Sequence, residues 1–227
     1  MLNYEADEAV LRPYVPPGTE LDVHDGRAYL SVVAFRFLDT RVLGIPIPGH
    51  RDFEEMNLRF YVRRECADEV RRAVVFIREL VPRRAIAAVA RAIYNEPYIA
   101  LPMRHHVAGV PPTVEYSWYL RDHWHTLAAR AEEPGIIPLA GSHEEFITEH
   151  YWGYTRQRDG GTIEYRVEHP QWKVWSANQI RIDADFGALY DPAFAEMLTT
   201  PASAFIAEGS AVSVYQPERV PRSRAAA

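Results

Sequence analysis

The clearest pattern in the chain is a strict alternation of apolar and polar residues between Glu55 and Arg63. Because successive side chains of a strand point to opposite faces, the alternation predicts a β-strand with one face in the core. The apolar set is Met56, Leu58, Phe60 and Val62, and the polar set is Glu55, Asn57, Arg59, Tyr61 and Arg63. The polar face must meet either solvent or an internal cavity.

Shorter patterns predict the elements around this strand. A hairpin is expected to turn at His24-Asp25-Gly26, and apolar residues at helical spacing predict the longest helix over residues 82–96. Ser142 and Asp191 are typical caps of short helices. Further strands are expected at residues 29–37, 74–77, 114–120, 126–131 and 162–168. Many strands with few helices favour an α+β fold that is mostly β, built on a sheet or barrel.

Length and charge narrow the class of protein. The 227 residues suit one domain, expected at 1–217, and the basic end at 218–227 is expected to be a mobile tail. A net charge of −6 argues against nucleic acid as a partner. Cys66 is the only cysteine, and the longest apolar run, residues 85–90, is too short to span a bilayer. We therefore expect a cytoplasmic protein with no membrane partner.

Common cofactor and metal motifs are missing from the sequence. It has no glycine-rich phosphate loop and no nucleophile elbow. His123 and His125 would point the same way on a strand, and His105 or His106 could add a third metal ligand. However, residues 121–123 resemble a hairpin turn, and no His-Glu-x-x-His or Cys-x-x-Cys motif accompanies them. We expect no metal and no cofactor.

Arg59 makes the polar face of the predicted strand informative. If that face lines a cavity, the guanidinium must be met by a carboxylate or an anionic ligand, because an unpaired buried charge costs several kcal/mol. Glu164, which alternates with apolar residues in a second predicted strand, could supply the internal partner. If the face meets solvent, Arg59 needs neither a carboxylate nor a ligand as its partner. The alternation alone leaves open whether the face meets solvent or lines a cavity.

Two later runs place acids and histidines among aromatic residues. They are residues 149–156, which include His150 and Trp152, and residues 168–175, which include Trp172. Aromatic walls with a few polar groups are typical of small-molecule pockets. Core packing with hydrogen-bonded ring tips explains the same runs equally well.

At these residues the chain resembles the YqjF-like bacterial family of unknown function. The motifs are Leu11-Arg12-Pro13, Asp25-Gly26-Arg27-Ala28-Tyr29, the run from Gly49 to Tyr61, Glu149-His150-Tyr151-Trp152 and Glu168-His169-Pro170. The likeness extends from about Leu2 to Tyr215. The family is similar in fold to acetoacetate decarboxylase, which implies a closed β-barrel with flanking helices and an internal cavity. This implication favours the cavity interpretation of the face that carries Arg59.

The resemblance does not bring the decarboxylase reaction with it. That enzyme forms a Schiff base through a lysine with a lowered pKa. Its paired lysines fall near residues 94–98 of this chain, where none occurs. The single lysine, Lys173, lies far along the sequence, so iminium decarboxylation is not expected.

Three hypotheses of function remain. The leading one is a small-molecule-binding domain whose barrel cavity holds a compact keto or hydroxy acid, with Arg59 as the anion partner. Its other ligand-binding residues would be Asn57, Tyr61, Tyr98, Trp152 and Trp172. The alternative is a lyase or hydratase-type enzyme that uses Glu55, Glu96 and His150 for acid-base catalysis without a Schiff-base lysine. In the third, the polar faces neutralise one another and the protein acts through its surface. All three hypotheses are compatible with a homo-oligomer.

Overall fold

The computed structural model describes residues 1–42, 45–46 and 51–221. Strands hold 49% of the residues and helices 15%, so the expected mostly-β composition is confirmed. The helices are α1 (Glu8–Leu11), α2 (Arg84–Ile93), α3 (His143–Thr148) and α4 (Pro192–Met197), with 3-10 turns at Arg12–Tyr14 and Phe186–Ala188. No helix in the described part of the chain is long and apolar enough to cross a membrane.

The strands follow the chain from end to end. They are β1 (Leu2–Ala6), β2 (Glu20–Leu21), β3 (Ala28–Phe37), β4 (Arg41–Val42), β5 (Ile45–Pro46), β6 (Phe53–Glu65), β7 (Val70–Val81), β8 (Tyr98–Ala100), β9 (Met103–Ala108), β10 (Thr113–Leu120), β11 (His123–Ala131), β12 (Trp152–Arg156), β13 (Thr162–Glu168), β14 (Val174–Asp183), β15 (Ser203–Ala207), β16 (Ser213–Val214) and β17 (Glu218–Arg219). The short strands β4 and β5 pair only with each other within the described residues.

One large sheet joins the other strands. Its order is β16-β13-β12-β7-β6-β3-β1-β15-β14-β11-β10-β9, with β17 on β13, β2 on β6 and β8 on β7. Among the described residues the pairing runs from β16 to β9 without returning to its start. The closed barrel that the family resemblance implied is therefore not confirmed.

The central strand β6 follows the predicted alternation. Its apolar residues Met56, Leu58, Phe60 and Val62 are all 0% exposed and belong to the main core, together with Trp118 and Tyr4. Burial of four such side chains stabilises the fold by roughly 1.5–3 kcal/mol each. The polar face of β6 is also covered, because Glu55 and Asn57 are each 2% exposed. A solvated face is thus excluded for this half of the strand.

A β-bulge in β7 sets which residues face β6. Leu58 lies opposite Arg78, whereas the next residue, Arg59, lies opposite Phe76. Ile77 is therefore an extra residue on β7, and a bulge of this kind shifts the alternation of the strand that carries it. As a result Glu79 lies directly opposite Asn57, on the same face as Glu55.

Three local predictions need correction. The turn at Asp25 and Gly26 exists, with φ angles of 50° and 73°, but β2 pairs with β6 rather than with β3. The long helix covers only Arg84–Ile93, although it is the longest helix in the described residues. At the end of the chain, Glu218–Arg219 pairs with β13 and Val220 is 9% exposed, so these residues are not a loose tail. Residues 222–227 lie outside the described part.

Candidate active site: a buried carboxyl cluster

Three glutamates from separate segments are buried together. Glu55 on β6 and Glu79 on β7 are each 2% exposed, and Glu96, two residues before β8, is 5% exposed. We call these three residues the carboxyl cluster. Glu55 and Glu96 were predicted from the sequence as acid-base candidates, and the structure brings them to one place. Glu79 was not predicted.

Neighbouring strands position the cluster in one row. Asn57 on β6 pairs with Glu79 on β7, and Glu79 pairs with Tyr98, the first residue of β8. Asn57 Nδ2 donates to Glu55 Oε1 at 3.1 Å, and the Tyr98 hydroxyl donates to Glu55 Oε2 at 2.9 Å. Asn57 and Tyr98, both predicted as ligand-binding residues, therefore serve as hydrogen-bond donors to the cluster.

Glu96 is held from the other side by β12 and β13. The hydroxyl of Thr155 donates to Glu96 Oε1, and the hydroxyl of Tyr165 donates to the same oxygen at 3.0 Å. Tyr165 reaches Glu96 because its ring lies across Gly153, its pairing partner on β12. A Cβ atom on Gly153 would overlap that ring, so the site needs a glycine at this position.

Burial sets the protonation of the cluster. It raises the pKa of Glu55 to about 7, against the opposing effect of its hydrogen bonds and of Arg59. It raises the pKa of Glu96 to about 7 as well, and the pKa of Glu79 well above its usual value, with a further contribution from the charges of Glu96 and Glu55. No arginine, lysine or histidine nitrogen of the described residues lies within 4 Å of these carboxylates. The cluster thus retains protons at neutral pH.

Arg59 lies further along the same strand, and none of the described residues pairs a carboxylate with it. Its Nη2 donates to the carbonyl oxygen of Ile147 at 3.2 Å, and its Cζ lies 5.6 Å from the centre of the Tyr61 ring. Its Nε is buried without a hydrogen-bond partner in the described structure. The suggestion that Glu164 neutralises Arg59 is wrong, because Glu164 accepts hydrogen bonds from Arg64 and Arg71 instead.

Tyr61 and His150 form the surroundings of Arg59. The Tyr61 hydroxyl lies 2.6 Å from Ser31 Oγ, and its ring is 4.6 Å from that of His150. Burial lowers the pKa of His150 to about 4, so the imidazole is neutral at pH 7. Its Nε2 is 3.6 Å from Asp22, which is paired with Arg72 at 2.9 Å. His150 therefore belongs beside Tyr61 rather than to the carboxyl cluster.

The two predicted tryptophans lie in different places. Trp152 lines a surface cleft of about 220 Å³ together with Tyr165, and Arg71 Cζ lies 4.1 Å from the centre of its ring. Tyr165 connects this cleft to Glu96. Trp172 instead stacks on His169 at 4.0 Å and donates to Ser210. None of the contacts described for Trp172 involves the carboxyl cluster.

Three residues of the site were not predicted from the sequence: Glu79, Thr155 and Tyr165. The predicted strand at residues 74–77 stopped where the bulge begins, so Glu79 was not assigned to any face. Tyr165 was counted as an apolar residue of its strand, although its hydroxyl is a donor. The feature that could have pointed to Thr155 and Tyr165 was Glu96, because a buried carboxyl requires hydrogen-bond donors from neighbouring segments.

Metal ligation is not supported by the described residues, in which no group of three or more His, Cys, Asp or Glu side chains could hold an ion. His105 Nδ1 lies 2.7 Å from Glu54, and His125 contacts the Leu120 carbonyl oxygen and the Asp185 amide. These histidines are engaged in separate structural contacts.

Solved structures with a similar arrangement define the fold. Acetoacetate decarboxylase from Legionella pneumophila superposes with a TM-score of 0.63 over 97% of this chain and 83% of that one, at 13% identity. The enduracididine biosynthesis enzyme MppR, complexed with pyruvate, gives a TM-score of 0.62 over 97% and 87% of the two chains, at 11% identity. An acetoacetate decarboxylase-like enzyme from Sphingomonas wittichii RW1 gives 0.58 at 12% identity. The chain therefore has the acetoacetate decarboxylase-like fold.

Within this fold class, the sequence identifies the family. Residues 1–211 match the model of the DUF2071 family, described as an uncharacterized conserved protein, and the chain belongs to that family. The uncharacterized protein YqjF of Bacillus subtilis (strain 168) is 27% identical over 179 residues, which are 77% of this chain and 71% of the relative. The expected YqjF-like resemblance is confirmed.

Proposed function

We propose that the chain binds a compact keto or hydroxy acid on the polar face of β6, with Arg59 as the partner of the ligand carboxylate. The observation that carries this proposal is the buried Nε of Arg59, which has no hydrogen-bond partner in the described structure. A guanidinium offers two parallel donors to a carboxylate, and within the described residues Arg59 uses Nη2 alone, for contacts to the Ile147 carbonyl oxygen and to Met1 Sδ. An anionic ligand would complete this pairing.

A second proposal, an acid-base reaction of the lyase or hydratase type, is favoured by the carboxyl cluster. A pair of carboxyls with pKa values of about 7 supplies both a base and an acid at neutral pH. In an enolisation, Glu55 or Glu96 as carboxylate would take the proton from the carbon beside the carbonyl. The C–H electron pair would form the C=C bond, and a protonated neighbour such as Glu79 would protonate the carbonyl oxygen.

The fold neighbours support small carbonyl compounds as the ligand class, because MppR has been solved in complex with pyruvate.

The ligand must also reach the carboxyl cluster. The 220 Å³ cleft leads to Tyr165 but is not lined by Arg59 or by Glu55. We therefore expect entry from this cleft to require displacement of the Tyr165 ring from Glu96.

Binding is tested by thermal-shift and calorimetric titration with pyruvate, 2-oxobutyrate, lactate and acetoacetate. A ligand at about 100 times its Kd stabilises the folded state by roughly 2.7 kcal/mol, or about 5–10 °C in Tm for a chain of this size. Arg59→Met should abolish the shift while the protein stays folded. Arg63→Met is the matched control, because Arg63 lies on the same strand but is exposed and paired with Glu20. Equal shifts in wild type and Arg59→Met would refute Arg59 as the anion partner.

Catalysis is tested separately by following deuterium incorporation at the α-carbon of a bound keto acid by NMR. Glu96→Gln and Glu55→Gln should reduce exchange at least 100-fold while binding persists, because each removes a proton acceptor and leaves Arg59 in place. If the wild type binds the keto acid but catalyses no exchange, hydration or cleavage, the proposed reaction is excluded and the proposed binding function stands.

A further inference from the structure

A second cleft, separate from the carboxyl cluster, is rich in arginine. It has a volume of about 300 Å³ and opens between the end of α2 and the turn that joins β12 to β13. Its lining consists of Arg91, Ala92, Asn95, Gln157, Arg158, Asp159 and Arg219. Three guanidinium groups therefore face one carboxylate in a chain whose net charge is −6. We propose that this cleft binds a compact phosphoryl-group dianion.

Two of the arginines are held in place through their Nε atoms. Arg158 Nε donates to Asn95 Oδ1 at 3.2 Å, and Asn95 is itself fixed by a bond from its Nδ2 to the Arg156 carbonyl oxygen. Arg91 Nε donates to the Ala87 carbonyl oxygen at 3.1 Å. Within the described residues the terminal Nη groups of Arg91 and Arg158 make no hydrogen bond or ion pair. These Nη groups can donate to a ligand, and the Nε hydrogen bonds hold the two guanidinium groups in a fixed orientation.

The remaining lining lowers the negative charge that an anion would meet. Asp159 is paired with Arg219 at 2.7 Å. Gln157 Nε2 donates to the Tyr94 carbonyl oxygen at 3.1 Å, which covers an acceptor at the end of α2, where the helix dipole is negative. At Gly161 a Cβ would lie 3.2 Å from Arg219 Nη1, so the glycine permits the close approach of this arginine.

The arrangement suits a phosphoryl group better than a single carboxylate. Three guanidiniums approach from α2, from the β12–β13 turn and from β17, and each presents paired N–H donors. A phosphate carries up to two charges and three acceptor oxygens in a tetrahedral set, which can be met from several directions. A single planar carboxylate would pair with only one of the three guanidinium groups. The excess of two positive charges in the lining matches a dianion.

The test is calorimetric titration with pyrophosphate and inorganic phosphate at low ionic strength, with sodium chloride matched throughout because exposed charges are screened by salt. We expect saturable binding of one pyrophosphate per chain. Arg91→Gln and Arg158→Gln should each weaken it about tenfold, and the double variant should abolish it. Arg130→Gln is the matched control, since Arg130 is an exposed arginine of β11 outside the cleft; its affinity should stay within twofold of wild type.

Arg59→Met should leave pyrophosphate binding unchanged, which keeps this proposal separate from that of the organic-acid site. The proposal is overturned if the wild type shows no saturable binding, or if the Arg91→Gln, Arg158→Gln double variant binds as the wild type does. Succinate bound as tightly as pyrophosphate would overturn the assignment to a phosphoryl group. Arg91, Arg130 and Arg158 are exposed, and circular dichroism checks that their variants are folded.

Discussion

Glu164 and Glu79 are two buried glutamates of the same sheet, and their surroundings are opposite. Glu164 is 6% exposed and accepts hydrogen bonds from Arg64, from Arg71 and from the Tyr154 hydroxyl. Glu79 is 2% exposed, lies beside other carboxyls, and its Oε2 has no hydrogen-bond partner in the described structure. The charge of Glu164 is neutralised by arginines, and this ion pairing is part of the structural framework. The carboxyl of Glu79 has no such compensation and destabilises the fold, and destabilising groups of this kind are concentrated at functional sites.

The largest expected effect is at the paired carboxylate. Glu164→Gln removes the charge that neutralises two arginines whose side chains are only 19% and 20% exposed. Breaking a buried ion pair from one side typically costs 3–5 kcal/mol, and partial exposure places this one near the lower end, about 3 kcal/mol. Urea denaturation measures the loss. Glu168→Gln, an exposed position on the same strand, is the control and should change stability by less than about 0.5 kcal/mol.

An intermediate effect is expected at Gly153. Gly153→Ala forces the Tyr165 ring away from its place, and overpacking of this kind costs about 1–3 kcal/mol. The displaced hydroxyl no longer donates to Glu96, so the pKa of Glu96 should rise, because that hydrogen bond holds it down. NMR titration of the Glu96 carboxyl measures this shift. Tyr165→Phe removes the hydroxyl without overlap and should raise the same pKa; an unchanged pKa in both variants would contradict the proposed support of Glu96.

The smallest effect, and one of opposite sign, is expected at the uncompensated carboxyl. The raised pKa of Glu79 means that the folded state binds more protons than the unfolded state, so stability falls as pH rises above about 4.5. Glu79→Gln removes this penalty and should raise the free energy of unfolding at pH 8 by roughly 1 kcal/mol. The gain should vanish near pH 4, where the carboxyl is protonated in both states.

The stability of the Glu79→Gln variant must be compared with that of the wild type at each pH, because the titration of His150 changes stability with pH in the opposite direction. Its pKa is lowered to about 4, so the unfolded state takes up its proton first and stability falls as pH drops below about 6.5. This contribution is common to both proteins and cancels in the difference. A Glu79→Gln variant that is less stable than wild type at pH 8 would show that Glu79 is charged and paired in the folded protein.

The sequence predicted half of the site because local alternation was sufficient for β6. The alternation placed Glu55 and Asn57 together on the face opposite the apolar residues, and the family resemblance favoured the interior position that this face has in the structure. The contacts of Glu96 did not follow, because Thr155 and Tyr165 come from strands about 60–70 residues away, and β7 pairs in parallel with both β8 and β12. Parallel pairing between distant segments leaves no turn motif in the sequence.

Arg59 shows the limit of arguments from strand faces. The alternation placed it correctly on the face of Glu55, and the need for an anionic partner was a sound physical expectation. Choosing Glu164 as that partner failed, because two strands with alternating charges do not reveal which of their faces meet. Arg64 and Arg71, both close to Glu164 in space, had no feature in the sequence that distinguished them from the other arginines.

The extra residue at Ile77 has an evolutionary consequence. Strict alternation from Val74 and Phe76 would carry Arg78, not Glu79, onto the face that bears Glu55. If β7 kept its length but lost the bulge, Arg78 would lie beside Glu55 and turn the acidic cluster into a salt bridge, without any substitution. Loss of the bulge together with Ile77 would instead leave Glu79 opposite Asn57, because residues 78–80 keep their pairing with residues 56–58. The acidity of the site thus depends on strand length as well as on residue type: relatives without the bulge should retain the cluster only if they also lack the extra residue.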